Sequence, residues 1–387
     1  MKLVRRWVAT LFALLCCWGT VTALGGEPSL LMQIDDDLDR PGLVAALTRS
    51  LTYLEALPPA TRFPLESGEL PVSRLIDSAR HLRQLVQGPL DGEMLMRRIN
   101  EEFMAIGRYP DANDPEQRLL VTGYYQPIFA GSLHRQSPYL YPLYRLPPDL
   151  VVRSQEGRGP SIGRLVDGRL VPYWTRREIE QGNLLQGLEL AWLRDPFDVF
   201  TLHVQGSGII QLPDGSVRGL RYAQKNGHPY TSIGRYLVET GQMELAEVTM
   251  DSIRAYLNRH PHQHRQILEQ NNSYIFFDWG SPDGAIGNIN RPLTPGRSVA
   301  ADQCWYPPGS ILFLQSRRPV MERGAVSGWQ PIRRLVTVQD TGSAIKGPGR
   351  IDIFWGRGEQ AGLEAGQMKE KGEVALLLRR KPPASRP

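Results

Sequence analysis

Cysteine is nearly absent: there are three in 387 residues, and two of them, Cys16 and Cys17, fall within the first 25. A leader ending at Ala23 would leave Cys304 alone. A single thiol forms no intramolecular disulfide and builds no cysteine zinc site, so the core must hold the fold. Cys304 reads as a small buried hydrophobe rather than a nucleophile. Long apolar runs are missing after Leu24, so no later segment is expected to span a bilayer. Nucleotide-binding signatures are missing too: Gly206-Ser207-Gly208 lacks the third glycine and the following helix of a dinucleotide loop. It is not a nucleophile elbow either, because no G-x-S-x-G pattern exists. Its other reading is a strand end where a second backbone or a ligand comes close. Histidine is scarce, at seven residues, and the tract His260, His262 and His264 has a spacing of two that one helix face cannot gather. It reads as solvated polar surface, and neither metal nor cofactor is expected.

Glycine and proline are plentiful instead, 38 and 31 residues, about 18% of the chain against a usual share of ~12%. That excess predicts many turns and small β domains rather than a helical bundle. The net charge of +5 suggests an anionic partner such as nucleic acid. Its distribution does not: Lys2, Arg5 and Arg6 belong to the leader, leaving +2, and Arg379, Arg380, Lys381 and Arg386 crowd the C-terminus. No nucleic-acid partner is therefore expected.

The cationic start, the uncharged stretch Trp7–Leu24 and the small residues Val21 and Ala23 fit a cleaved export signal. Two other readings stay open. Cys16 and Cys17 follow Leu14-Leu15, a poor match to a lipoprotein site, and 18 apolar residues are the lower limit for an uncleaved anchor. Each of these places the body outside the cytoplasm, with membrane association through residues 1–23 as one outcome.

Helical spacing of Leu43, Leu47, Leu51 and Leu54, then of Leu75, Ala79, Leu82 and Val86, predicts helices in residues 35–108, with a third over Glu93–Ile106. Leu119–Gln126 reads as a strand stopped by Pro127. Residues 127–220 read as small-barrel material, including strand-like runs at 140–146 and 197–204, a short helix near 176–181 and a tight turn at Pro213-Asp214-Gly215. Helices are expected after a Ser232 or Thr231 cap, at 249–258 and at about 261–270. From Ser273 onward, short apolar runs alternate with Gly and Pro, which predicts a closed or nearly closed β domain. The isolated strand at 119–126 most simply joins that sheet, which makes the middle segment an insertion. The predicted organisation is leader 1–23, helical part and first strand 24–126, insert 127–220, helices and remaining strands 221–380, and basic tail 381–387.

Carboxylates are the remaining chemistry. Asp352 stands between Ile351 and Ile353 in a strand-like run, so it faces opposite to them. If the isoleucines face the core, Asp352 is outward and inert. If they pack on another layer, it points into a cleft, where desolvation would raise its pKa as a general acid requires. Asp340 opens an Asp-Thr-Gly turn, where bonding to nearby backbone N–H groups is the default. Lys346 follows in the same loop, near enough to compete for either carboxylate. The rings of Tyr124, Tyr125 and Trp355 suit either a sugar face or a core. His228 lies in a polar, aromatic loop that reads equally as a turn or a cleft wall.

Asp340-Thr341-Gly342-Ser343-Ala344-Ile345-Lys346-Gly347, followed by Asp352-Ile353-Phe354-Trp355-Gly356, resembles the membrane-bound lytic murein transglycosylase A family. Thr122-Gly123-Tyr124-Tyr125, Val204-Gln205-Gly206-Ser207-Gly208, Tyr222–His228, Asn272-Ser273-Tyr274 and Pro292–Ala300 support the resemblance in family order. It implies an α+β fold that is mainly β: a six-stranded double-psi β-barrel with N-terminal and flanking helices, and a second small β-barrel inserted in it. Asp302, Asp340 and Asp352 match the three aspartates that name the C-terminal module, about residues 296–378. The resemblance makes Asp352 the single acid/base, with Asp340, Thr122 and Lys346 supporting it. It places Tyr124, Tyr125, Gln205, Gly206, Ser207, Gly208, Asn226, His228 and Trp355 along a groove for a peptidoglycan strand. It implies a monomeric lyase that leaves 1,6-anhydromuramic ends. A non-catalytic glycan-binding module and a two-carboxylate hydrolase are the alternatives. Ser343 departs from the pattern, standing where many relatives carry a second glycine.

Overall fold

The structure is a computed structural model that describes residues 33–380, apart from 66–67, 111–116, 156–157, 283 and 343. The leader, the tail from Lys381 and the departure at Ser343 therefore lie outside the described residues.

Three amphipathic helices, Arg40–Glu55, Val72–Gln87 and Gly92–Glu102, open the described chain. Leu43, Leu47, Leu51 and Leu54 are buried on the first, and Leu75, Ala79, Leu82 and Val86 on the second, as their spacing predicts. Two features of this region differ from expectation. A hairpin, Arg62–Leu65 with Gly68–Pro71, separates the first two helices. The third helix stops at Glu102, because Phe103–Tyr109 leaves as a strand that pairs with Lys369–Arg379.

Six strands close a barrel. Their order is Ile311–Glu322, Ala325–Asp340, Ser298–Ala300, Arg350–Arg357, Leu119–Gln126 and Lys369–Arg379, and the last pairs back onto the first. Two of its ladders are parallel: Ser298 opposite Thr337, and Asp352 opposite Thr122. Parallel pairing requires long crossovers, and the crossover from residue 126 back to the Ser298 strand contains a whole second sheet. The barrel interior is filled by Val121, Val299, Leu312, Val336, Ile351, Ile353 and Val374, and Leu54 and Leu75 of the helices pack in the same core cluster.

The second sheet runs Ile275–Gly280, Val217–Lys225, Ser207–Gln211, Ile128–Ser132, Glu189–Leu193, Tyr141–Tyr144. A single bridge from Arg145 to Phe277 joins its two edges, so this sheet is also almost closed. Its extent differs from the boundary expected at residue 220. Ile275–Gly280 pairs along Val217–Lys225, so the second sheet reaches past the intervening helices to Gly280. Alternation alone shows that a strand exists and not which partner it takes.

Residues 197–204 are helical rather than extended. Asp195 caps Pro196–Gln205 by accepting from the Phe197 N–H at 2.8 Å, and Pro196 occupies the first turn. The apolar run is continuous because Phe197, Phe200 and Leu202 are all buried, and such a run does not by itself distinguish a buried helix from a strand. The expected helix at Arg176–Gln181 has a full capping box from Thr175 and Glu178. Ser232 caps Ile233–Glu239 and Thr249 caps Met250–Arg259. A further helix, Gly358–Gln367, follows the Asp352 strand directly and has no counterpart among the expected elements.

Candidate active site

The chain leaves the first barrel at Gln126, turns at Pro127 and enters the second sheet at Ile128, so the two β units meet along this strand. A cleft of about 940 Å³ opens there, and Thr122, Tyr124, Tyr125, Gln205, Arg350 and Asp352 contribute to its wall. A smaller recess of about 320 Å³ shares Asp352 and adds Asp340.

Asp352 resolves the two readings of its strand in an unexpected way. Ile351 and Ile353 do face the barrel core, yet Asp352 is not inert, because the outer face of this barrel is the wall of the cleft. Its side chain is 14% exposed. The Thr122 hydroxyl, directly opposite across the parallel ladder, donates to Asp352 Oδ1. Arg350 lies two residues earlier on the same strand face and reaches Oδ1 with Nε at 3.3 Å and Oδ2 with Nη2 at 3.5 Å. Arg350 Nη1 also holds the Ala344 carbonyl at 3.3 Å. Burial raises the pKa of Asp352, against the opposing pull of Arg350 and Thr122.

Asp340 is differently placed. Its Oδ1 accepts the Thr341 and Asn288 backbone N–H groups at 2.9 and 3.0 Å, and its Oδ2 accepts the Tyr124 hydroxyl at 3.0 Å. Burial pushes its pKa up to about 6. Burial and the adjacent Asp340 push the Tyr124 phenol well above its ordinary range, so it stays a donor. Asp302 stands outside this recess. It accepts backbone N–H groups from Cys304 and Gly347 at 3.0 and 2.8 Å, which pins the loop that follows Asp340. Although burial works the other way, these bonds hold its pKa below the ordinary value.

Several expected residues are elsewhere engaged. Lys346 is exposed, and the carboxylate on which its charge acts is Asp302; the cation beside Asp352 is Arg350. Of the 205–208 run, only Gln205 faces the cleft, where its Oε1 accepts the Tyr125 N–H at 3.2 Å. Gly206 is the left-handed cap of the Pro196–Gln205 helix, and Ser207 and Gly208 begin the next strand. Gly208 serves packing: a Cβ there would stand 2.1 Å from Leu202 Cδ2. Asn226 is buried and saturated by the Trp174 and Asn272 carbonyls and the Tyr274 and His228 N–H groups. His228 Nε2 meets the Tyr173 carbonyl at 2.8 Å. Trp355 packs on the barrel core and against Gly123, away from both recesses. Cys304, expected buried, is exposed. Among the described residues no cluster suited to a metal is found.

The sequence reading missed Arg350, Trp329, Tyr230 and the small-residue face of Gly358–Gln367, all of which border the cleft. Arg350 carried a legible signal, since residues two apart on a strand share a face. The others reach the cleft only through the tertiary fold.

Known proteins share this fold. Residues 120–278 match the MltA specific insert domain and residues 297–378 the 3D domain. A crystal structure of a membrane-bound lytic murein transglycosylase from Agrobacterium tumefaciens superposes with a TM-score of 0.72 at 30% identity, over 88% of this chain and 93% of that one. The chain belongs to the membrane-bound lytic murein transglycosylase A family. The Escherichia coli member is 36% identical over 258 residues, which is 66% of this chain and 64% of that protein's own length. A structure of E. coli MltA with bound chitohexaose superposes with a TM-score of 0.66 at 29% identity, over 87% of this chain and 90% of that one. The family's six-stranded barrel with accompanying helices is thus present here, as the resemblance implied.

Proposed function

We propose that this chain is a lytic transglycosylase that cleaves the β-1,4 bond between N-acetylmuramic acid and N-acetylglucosamine in peptidoglycan. The observation that carries this reading is the inequality of the two buried carboxyls. Asp352 opens on the cleft with a raised pKa, while both oxygens of Asp340 are occupied by donors. A hydrolase of the usual kind needs a second carboxylate free to attack or to activate water. Of the two buried carboxyls only Asp352 is available, and the cleft's other acids, Asp251 and Glu359, are exposed, so the nucleophile in this reading comes from the substrate. Protonated Asp352 donates to the glycosidic oxygen as the C1–O bond breaks. The resulting carboxylate takes the proton of the muramic C6 hydroxyl, whose oxygen bonds to C1 and closes the 1,6-anhydro ring. Asp352 ends protonated, and no water is consumed. Thr122 and Arg350 orient the carboxyl and stabilise its charged form between the two transfers. Tyr124 and Asp340 brace the adjoining wall, and Tyr125 and Gln205 line the strand's path. The glycan-bound E. coli relative supports the choice of polymer.

The substrate lies outside the cytoplasmic membrane, so we place the enzyme in the envelope, exported through residues 1–23 and working as a monomer. No described helix is long and apolar enough to cross a membrane.

Incubating the mature protein with purified sacculi and weighing the products tests this reading. Anhydro ends, one water lighter than reducing ends, are expected. Reducing ends would identify a hydrolase, and binding with intact strands a non-catalytic module.

A further inference from the structure

A cavity of about 670 Å³ lies apart from the cleft and shares no lining residue with it. Tyr141 and Tyr144 of the second sheet, Arg194, and His262, His264 and Arg265 form much of its wall. Its two acids are already neutralised. Glu180 accepts Arg176 Nη1 at 2.7 Å, and Asp195 accepts the Phe197 N–H at 2.8 Å and Arg254 Nη1 at 3.2 Å. Its cations are held less tightly. Arg194 makes no hydrogen bond or ion pair with any described residue and only lies 5.8 Å from the Tyr139 ring centre. Arg265 reaches Glu269 only at 3.9 Å, because Arg177 and Gln181 already hold that carboxylate at 2.9 and 2.7 Å. The cavity therefore offers one guanidinium with no hydrogen bond or ion pair to a described residue, a second that is only loosely paired, and two imidazoles beside tyrosine rings, a set suited to a ligand with carboxylates on an extended backbone.

One helix connects this cavity to the cleft. Pro196 and Val199 line the cavity, and Val204 and Gln205, at the other end of the same helix, line the cleft. Ten residues of helix span about 15 Å. An extended peptide of four residues covers ~13–14 Å. We propose that the cavity is a second binding site, for the carboxylate-bearing stem peptide of a murein strand whose glycan occupies the cleft. This assignment rests on the reading of the cleft as a murein site.

The free stem tetrapeptide, titrated calorimetrically into the full mature protein, tests the cavity independently of catalysis. Saturable binding is expected in the wild type. It should weaken at least about tenfold when the peptide carboxylates are converted to amides, and equally in Arg194→Gln/Arg265→Gln, since a charge-assisted hydrogen bond contributes at least that factor. No binding up to about 10 mM, a weaker site than a substrate group would use, overturns the proposal. So does undiminished binding of the amidated peptide or by the double variant. In parallel, the wild type should show a lower KM for peptide-bearing strands than for stripped strands, and the double variant should lose that preference without losing activity on stripped strands. Equal KM values in the wild type also overturn it. If the tetrapeptide binds but no strand is cut, the cavity stands and the proposed activity falls.

Discussion

Asp352 differs from the other aspartates of its module by what surrounds it. Asp302 is held ionised by backbone donors, Asp340 is buried and saturated, and Asp352 is buried with one hydroxyl and one guanidinium beside it. Asp352→Asn should lower kcat by about 10²–10⁴, the range for losing a general acid, while glycan binding persists; product mass and a pull-down on sacculi separate the two. Arg350 favours the charged form of Asp352, so Arg350→Gln should raise that pKa further and carry the basic limb of the kcat/KM profile upward. An unmoved limb would show that Arg350 is only structural. Asp340 has the opposite linkage to an ordinary ion-paired acid. Its folded pKa of about 6 exceeds the ordinary carboxyl value of 3.8, so the protonated form favours folding and stability is lost as pH rises through about 6. Asp340→Asn can keep both N–H donors on one oxygen and should abolish that loss. Urea unfolding at pH 4 and pH 7 should then differ less than in the wild type, by on the order of 2 kcal/mol.

At the scale of elements, the Pro196–Gln205 helix is decisive: it presents Gln205 to the cleft and packs against the strand beyond Gly206. Gly208→Ala would force its new methyl into Leu202, and overpacking of this kind costs about 1–3 kcal/mol. Thermal unfolding should fall accordingly, and KM should rise more than kcat falls, because Gln205 moves and Asp352 does not. The turn at 213–215, the capped helices and the strand at 119–126 were legible because each depends on neighbours in sequence. The helix at 196–205 was not. Its burial on several sides erased the periodicity, and only its Asp195-Pro196 start marked it. Asn226 and His228 show the converse: polar residues in a suggestive motif are spent on the backbone of Trp174, Asn272 and Tyr173.

At the scale of the molecule, buried ion pairs fasten the start of the described chain to the barrel. Arg297, fully buried, holds Asp36 with two hydrogen bonds, and Arg334 holds Asp37 with two at 2.8 Å. Arg297→Met would strand a carboxylate already raised by burial, and breaking such a pair from one side costs about 3–5 kcal/mol. A loss of that size in the unfolding free energy from urea titration, with Asp352 chemistry retained at low temperature, is the expected result.

The sequence by itself determined the scarcity of thiols, the export-like start, the two β regions separated by helices, and Asp352 on the strand face opposite to Ile351 and Ile353, because each is a matter of composition or of spacing along one element. Only the tertiary structure decided which side of the barrel is a cleft, that Lys346 acts on Asp302 rather than on the acid, and that Ile275–Gly280 completes the second sheet. Those outcomes depend on contacts between residues far apart in the chain. Strand periodicity says which way a side chain points, and never what has been folded in front of it.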